Sequence, residues 1–257
     1  MRRVFLLWCG LSALALTAGA ATIHVPADQP TIQAGIDAAV SGDTVLVADG
    51  TYKGVGNRNI TFNGKAIVVR SENGSAATIV DVDSTKNRGF IFSGGEDTMS
   101  VLDGFTITRA IADTGAGVLV NGASPKVLNC RFEKMGFTLV NLQWLYMNVH
   151  GPMGLGIAVV GLSFPIIRNC VFSEMIKLGP YNNGSAWSIW GGGLAVDSPA
   201  KAIVEDCSFQ DIYSGLGVDE TLGSAIFDGS QGSIYRRCHI VRNTGAGYHG
   251  KGLTAAV

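Results

Sequence analysis

Two aspartates, Asp197 and Asp228, stand 31 residues apart, the interval that also separates Cys207 from Cys238. If both intervals reflect one repeat, the two carboxylates stack one strand apart at the edge of a sheet. Carboxylates so placed can share a calcium ion, or divide acid and base roles as repulsion pushes their pKa values apart. Aligning Gly247 with Ser224 extends the repeat, brings His249 to the outside nearby and sets Lys251 level with Asp228. Asp197, Asp228 and His249 are therefore candidate catalytic residues, with Asp197 and Asp228 as candidate calcium ligands. Asp197-Ser198-Pro199 and Asp228-Gly229-Ser230 are also good turn sequences, so a purely structural reading stands beside the chemical one.

A second set of residues suits binding rather than chemistry. Trp144 and Tyr146, then Tyr181, Trp187 and Trp190, then Tyr213, fall in three stretches of variable length. If these are loops of one corner on successive coils, they lie side by side. Aromatic rings there can stack on sugar rings, which makes a polysaccharide the expected partner. The alternative is that the rings pack on one another and shield the flank.

These residues need a scaffold that repeats, and the chain has one. Ser124-Pro125-Lys126-Val127-Leu128-Asn129-Cys130-Arg131-Phe132 returns as Phe164-Pro165-Ile166-Ile167-Arg168-Asn169-Cys170-Val171-Phe172. It returns again around Cys207 and Cys238, and Leu102-Asp103-Gly104-Phe105-Thr106-Ile107 is a version without cysteine. Cys-x-Phe alternates with period two, so both side chains share one face of a strand. The apolar residue three before the cysteine would sit on the wrong face unless a bend intervenes. Asn129, Asn169 and Asp206 mark that bend, because Asn and Asp tolerate a left-handed backbone. Arg237 breaks the series and predicts a differently built fourth corner.

A glycine-led strand precedes each copy, at Gly117, Gly156 and Gly193. The distance to the following cysteine is 13, 14 and 14 residues, while successive cysteines are 40, 37 and 31 apart. One corner therefore takes insertions and the rest is constant, as in a solenoid.

Composition agrees. The chain has 257 residues, 47% hydrophobic and 15% charged, which excludes a disordered chain. Its 35 glycines, without a collagen period, suit a turn-rich all-β protein. Arg2 and Arg3, the apolar run 4–16 and Ala18-Gly19-Ala20 form a secretory signal, so residues 1–20 are expected to be removed and 21–257 to form one domain. Loss of Arg2 and Arg3 takes the basic count from 19 to 17 against 20 acidic residues, a net charge of −3. No basic stretch suggests nucleic acid, and the apolar run is too short for a transmembrane span. The expected location is secreted: extracellular, periplasmic or cell surface. Cys130, Cys170, Cys207 and Cys238 occupy one repeated position, which reads as a stack of buried free thiols, with disulfides as the alternative in an oxidising compartment.

In chain order, Thr22 to Pro26 reads as a strand and Asp28 to Val40 as a helix with Pro30 in its first turn. Ile32, Ile36 and Val40 should cover the open end of the solenoid. Short strands follow at 44–48, 60–62, 66–69, 78–80 and 89–92. Residues 243–257 begin another coil and then stop, so the expectation is either a domain incomplete at its C-terminus or one capped by a partner, through end-to-end or C-terminal association.

The stretch Ile23-His24-Val25-Pro26, Pro30-Thr31-Ile32-Gln33-Ala34-Gly35-Ile36-Asp37-Ala38-Ala39 and Gly42-Asp43-Thr44-Val45 through Gly50-Thr51-Tyr52 resembles the opening of secreted right-handed parallel β-helix proteins of the pectate-lyase-like superfamily. Gly64-Lys65-Ala66-Ile67 and the Asn-Cys-x-Phe repeats continue the likeness. The resemblance implies an all-β, right-handed parallel β-helix with a short N-terminal capping helix. It implies little about activity, because this fold carries lyases, hydrolases, esterases and non-catalytic surface proteins. The esterase motifs have only partial echoes in Gln210-Asp211-Ile212-Tyr213 and Ala225-Ile226-Phe227-Asp228-Gly229, with Ala225 where the second aspartate belongs. Two readings follow: a secreted module that binds polysaccharide without catalysis, or a lyase or glycoside hydrolase acting on uronic-acid-rich polymers.

Overall fold

The computed structural model describes residues 19–136, 153–175, 191–212, 225–243, 248–250 and 254–256. Trp144, Tyr146, Tyr181, Trp187, Trp190, Tyr213 and residues 1–18 lie outside the described residues.

Short strands of two to four residues run in the order sheet 1, sheet 2, sheet 3 and back to sheet 1. Sheet 1 has nine strands, from Thr22–Val25 to Thr254–Ala256. Sheet 2 has seven, from Gly50–Lys53 to His239–Val241, and sheet 3 has seven, from Ile60–Thr61 to Tyr248–Gly250. Successive strands within each sheet pair in parallel, so each circuit adds one rung to all three sheets. The protein is an all-β parallel solenoid.

Inward columns fill the interior. In sheet 1, Val45, Val69, Leu102, Val127, Ile167, Val204 and Tyr235 stand in register, and all are buried. In sheet 2 the column is Tyr52, Val80, Ile107, Phe132, Phe172, Phe209 and Ile240. Phe132 and Phe172 stack with ring centroids 5.0 Å apart, and Phe172 and Phe209 with centroids 4.5 Å apart. Each such pair contributes about 0.5–1.5 kcal/mol beyond its area burial.

The glycine before each sheet 3 strand makes room for these rings. A Cβ on Gly156 would lie 2.4 Å from the carbonyl oxygen of Gly193 and 2.5 Å from Phe172 Cδ1. Gly117 faces Gly156 O and Phe132 in the same way, and Gly193 faces Phe209. This close approach explains the constant distance from glycine to cysteine in the sequence. In the next coil Ala225 takes the glycine's place, and Ile240 stands where the ring would be.

The bend between sheets 1 and 2 is a single left-handed residue. Asn129, Asn169 and Asp206 have φ of 53°, 52° and 55°. Arg237 was expected to build a different corner, but its φ is 50°. The arginine tolerates this backbone where its side chain grips Asp206 of the preceding coil through two N–H···O bonds. Lower in the stack the same job falls to amides: Asn129 donates to Asp103, and Asn169 to Asn129. A second left-handed residue follows each of the last five sheet 2 strands, at Arg109, Lys134, Glu174, Asp211 and Arg242, just before the corner that takes insertions. Arg237 and Arg242 hold the carboxyls of Asp206 and Asp211 below the usual carboxylate range by donating to them.

The capping helix is shorter than its sequence pattern, running Ile32–Ala38. Asp28 is used in the preceding turn, where its carboxylate accepts from His24 N at 2.7 Å. Thr31, in an extended conformation, caps the helix by accepting from Ala34 N at 3.2 Å. Pro30 therefore precedes the helix. Ile32 and Ile36 are buried as expected, but Val40 is exposed and Ala39 fills the core instead. Gly35 lets the helix sit down on the first rungs, since a Cβ there would lie 2.9 Å from both Val25 and Val45. Lys65 satisfies the helix's C-terminal carbonyls, with Nζ donating to Ile36 O, Asp37 O and Ala39 O at 2.7, 2.9 and 2.8 Å.

Two stability tests follow from this packing. Gly156→Ala should lower unfolding stability by about 1–3 kcal/mol or more, because backbone must move to admit the methyl group. Lys65→Met keeps the stem but removes three charge-assisted hydrogen bonds, and should cost about 1–3 kcal/mol. Urea unfolding midpoints of the two variants against the parent check both; an unchanged midpoint in either would refute its account.

Candidate functional site

The aspartate pair fell on sheet 3, and its register decides what the pair can do. Leu194, Ala195 and Val196 pair with Ile226, Phe227 and Asp228. The interval in this sheet is thus 32 residues, while in sheets 1 and 2 it is 31. The corner from sheet 3 back to sheet 1 is one residue shorter in the later coil. Asp228 therefore lies level with Val196, not with Asp197. A one-residue slip reverses the face.

Asp228 points inward. It ends the column Phe92, Val120, Val159, Val196, and is 1% exposed. Its carboxylate accepts from Ser230 N at 2.9 Å, Ser230 Oγ at 2.5 Å and Tyr235 Oη at 3.0 Å. Ser230 spends its proton on Asp228, so Ser233 Oγ, 2.8 Å away, donates to Ser230 and itself accepts from Ala202 N. Every hydrogen in this chain points toward the Asp228 carboxyl, which serves as the acceptor throughout. Asp197 is half-buried on the outer side, where its Oδ1 would lie 3.3 Å from a Cβ on Gly229.

The two aspartates thus occupy opposite faces of one sheet and do not converge. Position 249 pairs with Phe227 in register, and Gly250 rather than Lys251 lies level with Asp228. The outward row of this sheet runs Ile91, Leu119, Ala158, Ala195 and Phe227. Ala158, Ala195 and Phe227 are buried although they face away from the solenoid interior. Among the described residues no group of three or more His, Cys, Asp or Glu side chains is placed to hold a metal ion.

The corner from sheet 3 to sheet 1 carries a different feature. Ser124, Leu162, Ser163, Phe164, Pro199 and Lys201 line an open groove of about 350 Å³. Hydroxyls tie its coils together: Phe164 N donates to Ser124 Oγ at 3.0 Å, and Ala123 N to Ser163 Oγ at 3.2 Å. Lys201 N reaches Ser163 O at 2.9 Å. Against this stiff backbone, Leu162 is 83% exposed and Phe164 43% exposed. Lys201 is exposed and has no ion-pair partner among the described residues. The sequence held a signal for this groove. Pro125 and Pro165 immediately precede sheet 1 strands, which places Ser124 and Phe164 at the corner.

A family model described as a right-handed beta helix region matches residues 39–253. The chain belongs to the right-handed β-helix family. Searches of curated proteins and of solved structures find no match. Most of this β-helix matches the family model, so the family likeness accounts for the scaffold, while the groove and the buried Asp228 are read from this chain's own residues.

In this β-helix, Asp228→Asn should destabilise by about 1–3 kcal/mol despite equal volume, because an amide N–H would meet groups that are all donors. Chemical unfolding of the variant measures this, and parent-like stability would disprove the donor arrangement.

Proposed function

We propose that this protein is a secreted or cell-surface β-helix module that binds polysaccharide without turning it over. The observation that supports it is the corner groove. A phenylalanine ring and a leucine stand exposed on backbone stapled between coils, beside a lysine with no ion-pair partner among the described residues. An aromatic face stacks on the apolar face of a sugar ring, and the ammonium group supplies a polar partner beside it. Because parallel coils are about 4.8 Å apart, a chain laid along the corner meets Phe164 on one rung and Lys201 on the next. Lys201 favours polymers that carry carboxylates, such as those rich in uronic acids. Asp197 and Asp228 lie on opposite sides of a sheet, so that pair does not serve as acid and base, and the proposal stops at binding. A secretory route is supported by the basic and apolar opening of the sequence.

Retention in affinity gels containing pectate, alginate or a neutral glucan tests the reading. Phe164→Ala should weaken retention about tenfold, a loss of roughly 1.4 kcal/mol. Lys201→Gln should weaken it only for the acidic polymers, and less so in high salt. Retention by the parent that neither substitution alters would place binding elsewhere. Release of reducing ends or new double bonds would replace binding with catalysis.

A further inference from the structure

The repeated cysteines form a column through the solenoid. Cys207 and Cys238 lie in register on neighbouring rungs, where His239 N donates to Cys207 O at 2.9 Å. All four are free thiols. Each donates to the carbonyl two residues before it, Cys130 to Leu128, Cys170 to Arg168, Cys207 to Glu205 and Cys238 to Arg236. The shared partner gives them a common orientation. Cys130, Cys170 and Cys207 are buried, and only Cys238, at the end of the column, is partly exposed.

We infer that Cys207 and Cys238 are a thiol–disulfide site, oxidised by a disulfide reagent that enters at Cys238. Neighbouring strands place the two Cα atoms about 4.8 Å apart, within the range that a disulfide spans. The Cys238 thiolate attacks one sulfur of a disulfide R–S–S–R, releasing R–S⁻ and leaving R–S on Cys238. The Cys207 thiolate then attacks the Cys238 sulfur and expels the second R–S⁻. Two protons leave the cysteines, two electrons reach the reagent, and two R–SH result. Cys170 lies beyond Cys207, away from solvent, so the outer pair reacts first. The bond would clamp a rung that is otherwise held at its corner by an exposed Arg237–Asp206 ion pair rather than by an amide ladder.

Oxidised glutathione added to the folded full chain tests this. Peptide mapping should find Cys207 linked to Cys238 with a mass about 2 Da below the dithiol, reversed by dithiothreitol. The urea midpoint should rise on oxidation. Cys238→Ser should abolish the link, and Cys207→Ala should instead trap one glutathione on Cys238, which separates a failed second step from a misfolded variant. A lasting glutathione adduct on Cys238 of the parent would overturn the inference. So would a first link between Cys170 and either neighbour, or no reaction of the folded chain.

Discussion

Three successive coils close because one position has no side chain. At Gly117, Gly156 and Gly193 the space beside Cα is filled by the next coil's carbonyl oxygen and by the edge of a phenylalanine from the same coil. The rings can then stack along the axis at 4.5–5.0 Å, close to the rise that parallel strand pairing imposes. Side-chain packing and backbone pairing thus share one spacing. A larger residue at the glycine position would set them at odds.

The corners solve a different problem. A bend of one residue needs a left-handed backbone, which costs most side chains free energy. Here Asn, Asp, Lys, Glu and Arg all adopt it. In the amide ladder and at Arg237 and Arg242, the side chain reaches the residue one rung below, so a local cost is offset by a contact that only stacking provides. Glu205 follows the same logic within sheet 1. Arg168 donates to it from the rung before and Arg236 from the rung after, and these contacts keep its carboxyl below the ordinary range.

A solenoid built this way leaves its outer surfaces free to differ. The groove uses the corner from sheet 3 to sheet 1, where hydroxyl staples keep the backbone in place and Leu162, Phe164 and Lys201 project. In the interior, the Asp228 carboxyl is held by a turn amide, a serine and a tyrosine that all donate to it. Chemistry that looked paired in the sequence is thereby divided between the inside and the outside of one sheet.

The sequence alone determined the coil. Alternation about Cys130, Cys170 and Cys207, the bend residues before them and the constant distance to a leading glycine all follow from local backbone geometry, which repeats whenever the residues do. It also determined that a helix with Ile32 and Ile36 closes the N-terminal end. Only the tertiary structure decided the register between coils. Sheet 3 gains a residue over its neighbours at the Asp197–Ala202 corner, and with a side-chain period of two, that one residue turns Asp228 from the surface into the core. The same limit hid Arg237, whose left-handed backbone depends on Asp206 a full coil away, and the groove, whose residues come from three successive coils. Local patterns specify which way a chain bends; which side chains meet across coils depends on the summed length of every corner between them.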